Sequence, residues 1–170
     1  MVGQGYSWQI EAIASNDIES WSTAGRVGPA RAFVDAYNSQ TTETILNFGS
    51  ADGCPTTGTS GCSYGWGQAD YQYVSWQGAA WPYPENYVTS GVQANQWANI
   101  KKNYYMFVLG VLSDEAASDP IPSWNSPNCK DNGGNRINCD TEAYTQMLNA
   151  MINYGVSQSH MDFLTNIRST

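Results

Sequence analysis

"YYMFVLGVL" (104–112) is an unbroken apolar run and the strongest strand signal in the chain. A strand with one wet face alternates apolar and polar residues. A strand covered on both faces does not, and such strands belong to parallel sheets clad in helices. The fold therefore turns on whether the flanking segments supply those helices.

They do. Upstream, "SGVQANQWANIKKN" (90–103) has Ser90 with Gln93 three residues on, the spacing of a capping box. Downstream, "DTEAYTQMLNAMINYG" (140–155) sets Tyr144, Met147, Leu148, Met151 and Ile152 on one helical stripe. It ends at Gly155, a residue suited to a helix C-terminus. The alternation continues outward. "YSWQIEAIAS" (6–15) has period two, with Trp8, Ile10, Ala12 and Ala14 on one face. "GPARAFVDAYNSQ" (28–40) opens with Pro29 near a first helical position and repeats Ala30, Phe33, Val34 and Tyr37 at helical spacing. "TETILNFGS" (42–50) reads as a short buried strand. "QADYQYVSW" (68–76) fits helix or strand and is read as a short helix, because Trp81, Pro82 and Pro84 then interrupt the chain before a strand at "ENYVT" (85–89). A long loop, 113–139, follows the fourth strand.

Four β–α units in series predict a single α/β domain over residues 1–170, with a parallel sheet. Right-handed crossovers leave an open doubly wound sheet or half of a (β/α)8 barrel, since a whole barrel needs about 250 residues. No GxGxxG or GxxxxGK[ST] is present, so nucleotide-binding versions of the open sheet lose support.

The net charge is −8, and Lys101-Lys102 is the only adjacent basic pair, which excludes a phosphate-backbone binder. No apolar run is long enough for a membrane span. Few charges, with many Gly, Ser, Thr, Asn, Trp and Tyr, point to a carbohydrate partner. Aromatic rings stack on sugar faces, although the same rings also fill cores. Cys54 and Cys62 bracket "CPTTGTSGC", and Cys129 and Cys139 bracket "CKDNGGNRINC". Each pair predicts a loop-closing disulfide, and disulfides imply an oxidising, extracellular setting. A zinc site is disfavoured, with no CxxC and a single remote histidine, His160. No cofactor is expected. Residues 1–5 lack the basic start and apolar core of a signal peptide, so a leader was removed or the chain begins inside a longer protein.

Acids recur near strand ends. Asp17 and Glu19 follow the first strand, Asp52 the second, Asp114 and Glu115 the fourth, and Glu85 opens the third. Ligands bind at the carboxyl ends of strands in barrels and open α/β sheets. Asp and Asn also cap helices and form turns, and that reading is the stronger one for Asp114 and Glu115. Asp17 and Glu19, two apart, share a strand face at about 6.6 Å along the chain. Glu11 lies on the face of Ile13, Ser15 and Asp17; inside a barrel it must be paired or protonated.

"LNFGSADGCP", "YVSWQGAAWPYPENY", "QANQWANI" and "DFLTNI" resemble segments of secreted bacterial glycoside-hydrolase-like proteins of uncertain function. The likeness spans most of residues 8–167. It implies the latter half of a (β/α)8 barrel, completed by a second chain or by an N-terminal half. Asp17-Ile18-Glu19 is also similar to the strand-end acids of chitinase-like and lysozyme-like barrels. The further upstream aspartates of the chitinase pattern are replaced here by Ser15 and Ile13.

The expected function is an extracellular glycosidase acting on a polysaccharide or cell-wall glycan. Catalytic candidates are Asp17, Glu19, Asp52 and Glu85, with Glu19 as general acid and Asp17 or Glu85 as base or nucleophile. Glu11, Trp21, Trp76, Trp81 and Tyr87 are the substrate-side candidates. The alternative is a non-catalytic sugar-binding or self-assembling cell-surface protein. A calcium module built on Asp131, Asn132, Asn135 and Asp140 is a third reading, but it lacks the spacing and terminal Glu of an EF-hand loop.

Overall fold

The computed structural model describes residues 13–20, 26–116, 129–131, 133–159, 161 and 163–169, with 114–116 and 163–169 as backbone only. The expected first strand lies mostly outside them, and so do Glu11, Trp21, Asn132 and His160. The elements alternate: β1 (Ala14–Asn16), α1 (Val27–Gln40), β2 (Ile45–Asn47), α2 (Gln68–Trp76), β3 (Ala80–Pro82), α3 (Val92–Asn103), β4 (Gly110–Ala116), α4 (Asp140–Asn153) and β5 (Phe163–Ser169). The β–α series is thus as expected, with a fifth strand added.

All strand-to-strand pairings among the described residues are parallel. β1, β2 and β3 align Ala14, Ile45 and Ala80, then Asn16, Asn47 and Pro82. β4 pairs β5 from Gly110 opposite Phe163. A parallel bridge between Glu85 and Leu112 joins the two ladders. Pro82 and Pro84, which cannot donate, serve as acceptors in that seam: Leu109 N–H reaches Pro82 O at 3.0 Å and Leu112 N–H reaches Pro84 O at 2.9 Å. The strands therefore follow one another in chain order. A doubly wound sheet reverses its order at a switch point, and no reversal occurs among the described residues.

Burial alternates along the strands. Ile45, Asn47 and Ala80 are buried, and Leu46 and Trp81 are only partly so. Ile45 and Ala80 join Val34, Val74 and Trp97 in one core under the helices. On the opposite face Phe48 and Tyr83 meet edge to face at 5.3 Å. The sheet thus has one helix-clad face and one more open face.

Three expectations need correcting. Residues 85–89 are not a strand: the pairing stops at the Glu85–Leu112 bridge, closed by Asn86 N–H on Leu112 O at 2.9 Å, and side chains take up the backbone groups beyond it. Gln93 Oε1 accepts from Tyr87 N–H (2.7 Å) and Val88 N–H (3.1 Å), and Asn138 supplies the donors. That use of Gln93 also replaces the expected capping box at Ser90. α3 starts instead after Gly91, whose φ of 80° is a left-handed conformation natural to glycine. Finally, the apolar run 104–112 enters the β4 ladder only at Gly110, and the strand continues to Ala116 inside the expected loop. Before that point Lys101 Nζ donates to Met106 O (2.7 Å), and Gln158 brackets Val108 through both its backbone groups. Met106 and Val108 are buried without being paired in the sheet.

Both disulfides form, Cys54–Cys62 and Cys129–Cys139. The first closes a loop whose carbonyls are read by amides: Gly58 O accepts from Gln68, Asn99 and Asn103. No helix among the described residues is long and apolar enough to cross a membrane.

Candidate functional site

The carboxyl ends of β1 to β3 meet through one buried asparagine. Asn47 Oδ1 accepts from Ile18 N–H (3.0 Å) and Gly49 N–H (3.4 Å), and its Nδ2 donates to Ser75 Oγ (2.7 Å). Ile18 is thereby drawn into the helix-side core. Its neighbours Asp17 and Glu19 consequently point to the open face, as strand alternation requires. Gly49 passes so close that a Cβ there would collide with the Ile18 carbonyl oxygen. This contact lets Ser50 N–H reach Glu19 Oε1 at 2.9 Å. Ser20 is fixed next: its N–H donates to the Tyr71 hydroxyl (3.2 Å), and burial pushes that hydroxyl up to about 12.

Glu85 arrives from the other side, two residues beyond Tyr83 on the same face. One carboxylate oxygen from each of Asp17, Glu19 and Glu85 lies within 4.8 Å of the others. Glu85 carries the strongest perturbation: burial first, then the charges of Glu19, Asp17 and Asp52, push it from 4.5 up to about 8, against the Tyr87 hydroxyl that hydrogen-bonds to it. Burial and Glu19 also raise Asp17. Burial and Glu19 raise Asp52 in the same way. The four catalytic candidates therefore act on one another, with Glu85 beyond the carboxyl end of β3 and not at the start of a strand. So many like charges must be relieved by a proton or a cation. Glu85 is the group most disposed to keep the proton, and the 4.8 Å spacing of Asp17, Glu19 and Glu85 also suits one divalent ion.

The aromatic candidates divide. Tyr87 belongs to the cluster through its hydroxyl. Trp76 and Trp81 pack on each other edge to face at 4.8 Å, with Phe107 beyond at 6.2 Å. Trp81 precedes Glu85 by four residues, about 13 Å of strand, so this pair is not brought to the acids. Phe48 and Tyr83, paired edge to face on the open face of the sheet, are rings that sequence reasoning missed. Alternation from Leu46 and Trp81 is the signal that marks them. Beside Asp17 and Glu19 lies a recess of about 440 Å3, walled by Ile18, Pro29, Ala30, Phe33 and Trp66.

Elsewhere the chemistry is thinner. A recess of about 700 Å3 between α3 and α4 is lined by amides and hydroxyls. Its one acid, Glu142, is engaged with Arg136 at 2.6 Å. In the second disulfide loop the Asp131 carboxylate is taken up by the N–H groups of Gly133 and Asn135, both at 2.8 Å, so it closes its own turn. Asp114 and Glu115 sit in β4 opposite Ile167 and Arg168. No family model, no curated protein and no solved structure matches this chain.

Proposed function

We propose that the protein is an extracellular glycosidase that hydrolyses a polysaccharide or cell-wall glycan with Glu85 as general acid and Glu19 as its partner carboxylate. One observation carries the reading: a carboxyl raised to about 8 lies beside two others within 4.8 Å, on the open face of a parallel sheet. Glycoside hydrolysis needs one carboxyl protonated and one ionised at the same pH. This assignment exchanges the roles expected from sequence. Glu85 holds a proton at neutral pH, while Glu19 presents an oxygen oriented by Ser50 N–H.

The spacing supports a retaining mechanism. Retaining enzymes set their carboxyls about 5–5.5 Å apart, whereas inverting ones leave about 6.5–9.5 Å for a water. Glu19 would attack the anomeric carbon while Glu85 protonates the leaving oxygen; Glu85 would then deprotonate the water that releases the sugar. Asp17 keeps its charge close to Glu85 and so favours the protonated form. The apolar recess beside Asp17 suits a sugar face. Two disulfides agree with an extracellular setting. Among the described residues five parallel strands follow in chain order, as in part of an eight-stranded barrel. This reading calls for further β–α units to close it.

The test is release of reducing ends from a panel of chitin, peptidoglycan and β-glucans. Wild type should act on at least one, and Glu85→Gln and Glu19→Gln should each lose at least about a hundredfold. Binding to a glycan without turnover by wild type would favour the non-catalytic alternative. Equal turnover by Glu85→Gln would remove Glu85 from the mechanism.

A further inference from the structure

The stretch 86–88 has the backbone of a failed strand, and one residue supplies most of what the sheet does not. Asn138 N–H donates to Tyr87 O at 2.6 Å. Its Nδ2 donates to Asn86 O and Val88 O, both at 3.1 Å, and to Gln146 Oε1 at 2.8 Å. Asn138 is only 3% exposed, so each of these bonds is made in place of water. Gln93 holds the same stretch from the other side through the Tyr87 and Val88 amides. Tyr87 and Val88 are thus gripped at both edges without belonging to a ladder, just beyond Asn86, whose N–H still donates to Leu112 O at 2.9 Å.

Asn138 is itself held on both sides. It precedes Cys139, which closes the loop to Cys129, and Ile137 N–H donates to Cys129 O at 3.0 Å within that loop. Cys139 N–H donates to Glu142 Oε2 at 2.9 Å, which ties the loop to the first turn of α4. A disulfide and a helix N-terminus therefore fix where the Asn138 amide stands.

The gripped stretch meets the acids through the Glu85–Asn86 peptide and through the Tyr87 hydroxyl on the Glu85 carboxyl. We infer that Asn138 is a positioning residue: presented by the Cys129–Cys139 loop, it sets the 86–88 backbone so that the Tyr87 hydroxyl meets the Glu85 carboxyl. A tyrosine hydroxyl lies about 6.5 Å from its own Cα by covalent geometry, so a small rotation at residue 87 carries it out of hydrogen-bond reach. The inference rests on the glycosidase reading for its effect on turnover, and not for the contact itself.

The experiment follows that contact in protein labelled with [13Cζ]tyrosine, with the Tyr87 resonance assigned through Tyr87→Phe. Asn138→Ala should move this resonance toward that of Tyr105, which is 85% exposed, and leave buried Tyr71 unmoved. Added to Glu85→Ala, which removes the acceptor, the same change should produce no additional shift. If Asn138→Ala does not fold, the pair Cys129→Ser and Cys139→Ser should move Tyr87 in the same direction. A drop in thermal midpoint with the Tyr87 resonance in place, in whichever variant folds, would leave Asn138 a structural staple and overturn the proposal. On a hydrolysed glycan, Asn138→Ala should lower kcat with KM held. Absence of any hydrolysis by wild type would defeat the functional reading alone, since the Tyr87 shift still decides this one.

Discussion

Replacing Glu85 by glutamine should stabilise the protein at high pH and do little at low pH. In the fold the carboxyl is raised from 4.5 to about 8. Below pH 4.5 the native and unfolded states both hold the proton. Between 4.5 and about 8 the unfolded chain loses it and the native state keeps it, so native stability falls as pH rises. Above about 8 the loss is complete. At about 1.4 kcal/mol per pH unit the gap corresponds to roughly 5 kcal/mol. The carboxyl is only partly buried and water relaxes around it, so about 2–4 kcal/mol is the working figure. Glutamine is isosteric, keeps an acceptor for Tyr87 and carries no charge. Urea unfolding with the disulfides intact, at pH 4 and pH 9.5, gives the difference between variant and wild type. It should be near zero at pH 4 and reach about 2–4 kcal/mol in favour of the variant at pH 9.5. The other titrating groups cancel in the difference except where they couple to Glu85. An equal difference at both pH values would refute the reasoning, because the buried acid would then carry no proton of its own.

Three further outcomes are expected. Gly49→Ala drives a methyl into the Ile18 carbonyl and should cost about 1–3 kcal/mol, read by chemical denaturation. Asn47→Leu leaves the buried Ile18 amide without its acceptor and should cost about 1–3 kcal/mol. Its amide exchange at Ile18 and Gly49 should rise well above that of the α3 core. Opening Cys54–Cys62 by Cys→Ala changes should cost about 2.5 kcal/mol from chain entropy but leave Asn99 and Asn103 on Gly58 O. Loss of those side-chain amide signals would show that the disulfide, and not the amides, shapes the loop.

The pairing of Asp17 with Glu19 was legible because it is local: two residues apart, they share a face by strand alternation. The place of Glu85 was not, since the third strand is Ala80–Pro82 and Glu85 stands beyond its end, where the sequence put the start of a strand. The residues that fix them were not legible. Asn47 acts on Ile18 across 29 positions, and Asn138 acts on Asn86 across 52. Such amides look like ordinary surface polar residues until the fold brings them their partners. The same cause misplaces two strands. Hydrophobicity reports burial, and Met106 and Val108 are buried while Lys101 and Gln158 occupy their backbone groups. "ENYVT" has strand composition, but Gln93 and Asn138 satisfy its backbone first. β5 carries Thr165, Asn166 and Arg168 among its apolar residues, which blurs the pattern that marks a strand covered on both faces.

The account stands on one site in which neighbouring carboxylates and burial keep a proton on Glu85. Its most direct test is the titration of the Glu85 side-chain carboxyl, followed by carbon NMR from pH 3 to pH 10. The account predicts a midpoint at about 8 that falls when Asp17→Asn or Glu19→Gln removes a neighbouring charge. A midpoint close to 4.5, indifferent to both substitutions, would contradict it.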